Sequence, residues 1–210
     1  MIKVAIFDVD GVIIVSDSSR FSYKVFSQRI VEEYDASPES LSQFFNEVFP
    51  KCLVGKADLK KEIQPYLKEW NWDDSVDNIL DYWFRNESNI DKRVLEIVEQ
   101  LKDKGIQCYL GTNQEKYRIE YLKNQLGLGN IFEDIFSSGY IGHRKNEPQF
   151  FEYVLEQLQG IKPREILFID DSEDNSDSAR NFEIQAYLYQ NFEDFQEYLT
   201  QILKGDKSGT

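Results

Sequence analysis

Four short polar clusters, each following an apolar run, concentrate the carboxylates, hydroxyl and lysine of most chemical interest in this sequence. The first is Phe7-Asp8-Val9-Asp10-Gly11. At the end of a strand, Asp8 and Asp10 stand two residues apart and emerge on one side. Gly11 lets the backbone turn sharply just beyond them. The second, Leu110-Gly111-Thr112-Asn113-Gln114, combines a hydroxyl and amides with the free backbone N–H groups of a helix start, a setting that holds phosphate. The third, Gly142-His143-Arg144-Lys145-Asn146-Glu147-Pro148, carries Lys145, a point charge able to reach across strand ends toward an anion. Pro148 suits the first turn of a following helix. The fourth, Phe168-Ile169-Asp170-Asp171-Ser172-Glu173-Asp174-Asn175, sets two aspartates side by side after an apolar strand. Adjacent carboxylates raise each other's pKa, and a divalent cation relieves that repulsion. Hard oxygen ligands in small number suit Mg²⁺, and such a site also accepts Mn²⁺.

Taken singly, each cluster has an ordinary structural explanation. Asp8 and Asp10 suit a cap or an acidic loop, Thr112 and Asn113 a helix N-cap, Lys145 a solvated basic loop, and Asp170 and Asp171 another acidic loop. Together they are harder to dismiss. Successive strand ends supply two carboxylates, a hydroxyl, a lysine and two more carboxylates, the groups that phosphoryl transfer uses. His143, the one histidine, has no partner cluster in the sequence and reads as a bystander; the role of Arg144 stays open.

The elements that must position these groups follow from hydrophobic patterning. Short apolar runs at Lys3–Phe7, Gln107–Leu110, Asp134–Ser137, Ile166–Ile169 and Ile184–Tyr189 fit parallel strands covered on both faces. Between them, 91–104, 115–126 and 147–158 show helical spacing, each with a glycine close behind as a stop. Alternating strand and helix predicts a three-layer α/β domain with a parallel sheet. The stretch from Asp17 to Asn89 breaks the pattern: it reads as four or five helices, among them Phe21–Tyr34, Ser37–Val48, Ala57–Trp70 and Asp74–Phe84. Roughly seventy residues far exceed an ordinary crossover, so this is an inserted helical subdomain. It holds all 3 tryptophans, whose rings are expected to form its small core rather than to stack on substrate. The expected division is a core of 1–16 and 90–204, a cap of 17–89, and a disordered polar tail of 205–210.

Composition narrows the function further. At 210 residues the chain suits one core domain with a modest insertion, and needs neither disulfide nor structural metal to fold. Thirty-eight acids against 24 bases, a formal charge of -14, oppose binding to nucleic acid. Cys52 and Cys108 lie in apolar surroundings without metal-type spacing and read as reduced, buried thiols. Asp8 and Asp10 interrupt the apolar amino terminus too early for a signal peptide, and no run reaches transmembrane length. These features predict a cytoplasmic protein, monomeric or weakly dimeric, with no membrane partner.

With these motifs in this order, the chain resembles the haloacid dehalogenase superfamily from Ile2 to about Leu203. The resemblance implies a Rossmann-like three-layer α/β/α core with an all-helical cap inserted after the first motif. It further implies that Asp8 is the nucleophile and Asp10 the general acid/base. Thr112, with Asn113 beside it, matches the phosphate-binding position, and Lys145 the lysine that steadies nucleophile and phosphate. Asp8, Asp171 and the backbone carbonyl of Asp10 correspond to the Mg²⁺ ligands, Asp170 to a supporting ligand, and Asn175 to a frequent further Asp or Asn. An acid two residues after the nucleophile is absent from the dehalogenases that named the superfamily, so phosphate chemistry is implied. Gly-Thr-Asn-Gln, the Arg-Lys pair and Phe-Ile-Asp-Asp-Ser-Glu-Asp-Asn look like the subgroup containing α-glucose-1-phosphate phosphatases. The expected activity is Mg²⁺-dependent hydrolysis of a small phosphorylated metabolite through a phospho-aspartate. Two alternatives stand beside it: a phosphosugar mutase of the same superfamily, and a non-catalytic relative binding a protein through its cap. A receiver-type domain also has acidic strand ends, but the long helical insertion disfavours it.

Overall fold

Five strands, β1 (Val4–Phe7), β2 (Gln107–Thr112), β3 (Ile135–Ser137), β4 (Ile166–Asp170) and β5 (Gln185–Leu188), make one sheet in the order β3-β2-β1-β4-β5. Every neighbouring pair is parallel. The computed structural model describes residues 1–15 and 25–205. All four residues of β1 are buried, as expected of a central strand covered on both faces. Ala5 and Phe7 face one apolar layer with Val98, Leu101, Ile119 and Phe195, whereas Val4 and Ile6 face another with Phe150, Phe151, Val154 and Ala179. The first layer is built by helices Lys92–Lys102, Lys116–Glu120 and Phe192–Gly205, the second by Pro148–Gln157 and Glu173–Arg180. The architecture is therefore the expected three-layer α/β/α fold. Chain order reverses between β1 and β4, which opens a crevice beyond their carboxyl ends.

Helix boundaries follow local chemistry. Asp91 accepts from the Arg93 N–H to start Lys92–Lys102, and Gly105, at φ 79°, turns the chain out of it. The expected helix 115–126 is α-helical only over Lys116–Glu120 and widens into a π turn at Tyr121–Gln125. The helix expected at Ser37–Val48 instead runs on past Pro50 to Cys52. Pro50 has no N–H to give, and the π turn Phe44–Val48, closed by Phe49 N–H to the Phe44 carbonyl, absorbs the misfit. Within the expected helix Ala57–Trp70, Leu59–Ile63 is α-helical and Pro65 accompanies a tightening to 3₁₀ at Gln64–Tyr66.

All of these last elements, with Phe26–Tyr34 and Val76–Asn86, lie between β1 and β2 and enclose their own core. Its centre is aromatic: Phe26 stacks on Trp83 at 4.8 Å, and Phe44 meets Trp70 edge-on at 5.2 Å. The buried Trp70 Nε1 donates to Ser40 Oγ at 3.1 Å. This helical layer is fastened to the sheet domain by polar contacts. Arg118, buried on the helix after β2, donates to the carbonyls of Phe84 and Glu87 at the end of Val76–Asn86. Asp58 accepts from Lys116 Nζ at 2.6 Å and from the Tyr117 hydroxyl, and Ser138 Oγ donates to the Leu53 carbonyl at 2.6 Å. Residue 16 of the expected core and residues 17–24 of the expected cap, including the first residues of the expected helix at Phe21, lie outside the described residues. So do 206–210 of the expected tail, whereas Gly205 ends the last helix. Cys52 and Cys108 are buried free thiols, pushed up to about 12 by burial. Among the described residues no helix is long and apolar enough to cross a membrane.

Candidate active site

Parallel register brings the first and fourth clusters together. Phe7 pairs with Ile169, so the next residues, Asp8 and Asp170, leave adjacent strand ends side by side. The Asp8 N–H continues the ladder to the Ile169 carbonyl at 2.8 Å. Thr112 closes β2 two residues beyond the Phe7–Leu110 pairing and is buried. Lys145 arrives differently. β3 gives way to a short helix, Ser138–Ile141, whose end at Gly142 (φ 87°) releases the loop that carries the lysine.

Lys145 sits between two buried carboxylates. Its Nζ is 2.6 Å from Asp8 Oδ1 and 2.8 Å from Asp170 Oδ2, and none of the three side chains is more than 8% exposed. The opposite oxygen of Asp170 accepts from the Ser172 N–H at 2.9 Å and from Asn175 Nδ2 at 3.0 Å. The lysine backbone is held as well, because its N–H donates to Asn113 Oδ1 at 3.0 Å. The contact seen for Asn113 thus positions Lys145, whereas the sequence expectation gave Asn113 a place at the phosphate. Glu147 ties the same loop down by accepting from the Arg144 N–H at 2.7 Å. His143 Nδ1 lies 3.7 Å from Glu147 Oε1 in the same loop.

Asp10 and Asp171 are exposed at the mouth of the site. Asp10 Oδ2 accepts from Gln114 Nε2. Asp171 approaches the turn after Asp10 so closely that a Cβ added to Gly11, at φ 84°, would lie 2.1 Å from Asp171 Oδ2. Asp8, Asp170 and Asp171 can each offer an oxygen within 4.8 Å of the others.

Charge is badly balanced here. Burial pushes Asp8 up to about 8; Lys145 pulls it down without cancelling that push, and Asp170 adds to it. Burial works against the charge on Lys145, but the Asp8 and Asp170 carboxylates outweigh it and hold the ammonium above its ordinary value. Asp171, open at its rim but partly enclosed by the site, is raised by that loss of solvent and by Asp170. Three carboxylates around one ammonium, with hard oxygens within 4.8 Å of one another, fit a divalent cation such as Mg²⁺. The sequence placed Gln114 among amides suited to phosphate rather than beside Asp10, gave no role to Glu147, and did not reveal the tie from Asn113. The signal available for Gln114 was its place two residues beyond Thr112, at the same strand end.

Comparison with known proteins agrees with this architecture. The family model for haloacid dehalogenase-like hydrolases matches residues 2–183. Drimenol cyclase of Aspergillus calidoustus is 31% identical over 53% of this chain, but the match covers only 21% of that protein. D-ribitol-5-phosphate phosphatase of Bacteroides thetaiotaomicron is 22% identical over 97% of this chain and 99% of its own length. A crystal structure of a haloacid dehalogenase family enzyme from B. thetaiotaomicron, in complex with magnesium and inorganic phosphate, superposes with a TM-score of 0.74 at 23% identity. It covers 90% of this chain and 95% of that one. With the family model spanning β1 to β4 and every cluster that follows those strands, this chain belongs to the haloacid dehalogenase-like hydrolases.

Proposed function

We propose that this hydrolase is a Mg²⁺-dependent phosphatase acting on a small phosphorylated metabolite, a phosphate monoester such as a sugar phosphate, through a phospho-aspartate on Asp8. The observation that carries the reading is Lys145 bridging Asp8 and Asp170 at 2.6 and 2.8 Å, with the exposed carboxylate of Asp10 two residues further on. A buried carboxylate at a strand end, held by one cation, is poorly suited to stability and well suited to nucleophilic attack.

Asp8 attacks phosphorus, and an Asp8 O–P bond forms as the ester P–O bond breaks. Asp10, protonated at that moment, gives its proton to the leaving oxygen. It then takes a proton from water, whose oxygen attacks the phosphorus of the acyl phosphate and returns Asp8 with free phosphate. Lys145 and Thr112 spread the charge of the transferring oxygens. Asn113, Asp170 and Asn175 act on the reaction by fixing the lysine. Asp8, Asp171 and the Asp10 carbonyl would hold Mg²⁺, with Asp170 supporting, and the ion supplies the positive charge that keeps Asp8 ionised and lets an anionic ester approach.

In domain terms, 1–16 and 90–204 form the catalytic core, and 17–89 a cap that selects the substrate and screens the site from water. Its separate aromatic core supports that division.

Phosphate release from a panel of sugar, nucleotide and small-acid phosphates, in Mg²⁺ and in EDTA, tests the reading. Release that needs Mg²⁺ and disappears in folded Asp8→Asn is expected. Isomerised sugar phosphate without free phosphate would point to a mutase, and full activity in folded Asp8→Asn would defeat the mechanism.

A further inference from the structure

Asp8 and Asp170 are each locked by buried partners, but Asp10, on which both proton transfers depend, stands exposed. Its carboxylate contact among the described residues is one amide, Gln114 Nε2 on Oδ2. We infer that Gln114 is the positioning residue for Asp10: its amide holds one carboxylate oxygen and so presents the other to the leaving group and then to water. This role rests on the phosphatase reading above and deepens it.

Gln114 is built to stay where it is. Its carbonyl accepts from Ser137 Oγ and from the Gly139 N–H, both at 3.1 Å, which clamps it to the end of β3. The approach is so close that a Cβ on Gly139 would meet that oxygen at 2.7 Å. The next residue, Glu115, is buried and caps the following helix by accepting from the Tyr117 and Arg118 N–H groups. The glutamine side chain therefore springs from a point fixed on both sides, and it reaches a residue 104 positions away.

The chemistry of the pair is specific. A primary amide donates to a carboxylate but neither gives nor takes a proton in the working pH range, so it cannot replace Asp10. What it can do is remove rotamers. A general acid that protonates a leaving oxygen and later deprotonates water must bring the same oxygen to the same place twice, and an exposed aspartate without an anchor spends much of its time elsewhere.

The test is the dependence of kcat/KM on the leaving group, which reports formation of the phospho-aspartate. An alkyl phosphate needs its leaving oxygen protonated, whereas p-nitrophenyl phosphate releases an anion stable by itself. Wild type, Gln114→Leu and Gln114→Glu are compared on both esters in Mg²⁺, with inhibition by inorganic phosphate as the binding control and a melting curve for each variant. Gln114→Leu keeps the shape and drops the donor; Gln114→Glu replaces it with a charge that repels Asp10.

Both variants are expected to lose about tenfold or more in kcat/KM on the alkyl ester and about threefold or less on the nitrophenyl ester, part of what a general acid contributes. The inhibition constant for phosphate is expected to stay within about twofold. Equal losses on the two esters, no loss on either, or weakened phosphate inhibition in step with lost activity would each overturn the positioning role while leaving the phosphatase reading intact. A folded wild type inert toward both esters would overturn the phosphatase reading, and this role with it.

Discussion

Lys145→Met removes the one cation between two buried carboxylates while keeping most of the side-chain volume. The lysine is 2.6 Å from Asp8 and 2.8 Å from Asp170, both essentially out of solvent. Deleting one partner of such an arrangement costs about 3–5 kcal/mol, because the remaining charge is left buried and uncompensated. Two features hold the cost to the lower end. Asp170 keeps the Ser172 N–H and the Asn175 amide, and Asp8, already pushed up to about 8 by burial, can take a proton instead of remaining charged. About 3 kcal/mol at neutral pH corresponds to a fall in Tm of roughly 6–12 °C for a chain of this size. Circular-dichroism melting of metal-free protein in EDTA measures it. The loss should grow as pH rises from about 6 to about 9, since the proton that relieves Asp8 becomes harder to retain. Adding Asp170→Asn should restore part of the lost stability, with a coupling above about 1 kcal/mol between the two sites. A Tm within about 2 °C of wild type, or strictly additive effects of the two substitutions, would refute the claim that Lys145 compensates both carboxylates.

Further outcomes follow from the same geometry. Gly11→Ala should abolish phosphate release and weaken Mg²⁺ binding measured by calorimetry, because the new methyl group would lie 2.1 Å from Asp171 Oδ2 and drive that carboxylate away. Normal Mg²⁺ affinity in this variant would contradict the close approach. Since burial holds Asp8 up to about 8, Mg²⁺ should displace a proton and bind more tightly as pH rises from about 6 to about 8. Calorimetry in two buffers of different ionisation heat measures the release, and zero protons released at neutral pH would count against it. Asp58 is held from its ordinary 3.8 down to about 2, first by the Lys116 hydrogen bond, with burial opposing and Tyr117 assisting. A lowered carboxylate pKa stabilises the fold above the ordinary value, and the gain disappears as pH falls through the lowered one. The Tm difference between wild type and Asp58→Asn should therefore be steady above about pH 5 and shrink toward about pH 2; a constant difference would show that Asp58 does not act through its charge.

Much of this protein is written locally. Val4–Phe7 and Ile166–Ile169 are recognisable because strands buried on both faces need unbroken apolar runs, and the helices because their apolar residues recur at helical spacing before a glycine such as Gly105 or Gly127. Asp8, Thr112 and Asp171 are visible as polar residues directly at or after strand ends, where an open parallel sheet collects its ligands. The insertion between β1 and β2 is visible from length alone. These features depend on which residues are neighbours along the chain, and the hydrophobic effect with backbone geometry suffices to read them.

The rest depends on which strands become neighbours in space. Parallel register, not sequence distance, sets Asp8 beside Asp170 and lets Lys145, carried on a loop beyond an unforeseen short helix, reach both. The same is true of Asn113 on the Lys145 backbone, of Gln114 on Asp10, and of Arg118 on the carbonyls that end Val76–Asn86 in the insertion. The π turn ahead of Pro50 also escapes local rules, since propensity predicts a break where the insertion's shared core keeps the helix running. Residue types at strand ends thus come from the sequence by itself. Which carboxylate is buried, which is exposed and which partner holds each is decided only when the sheet closes, because burial and pairing are properties of the assembled core.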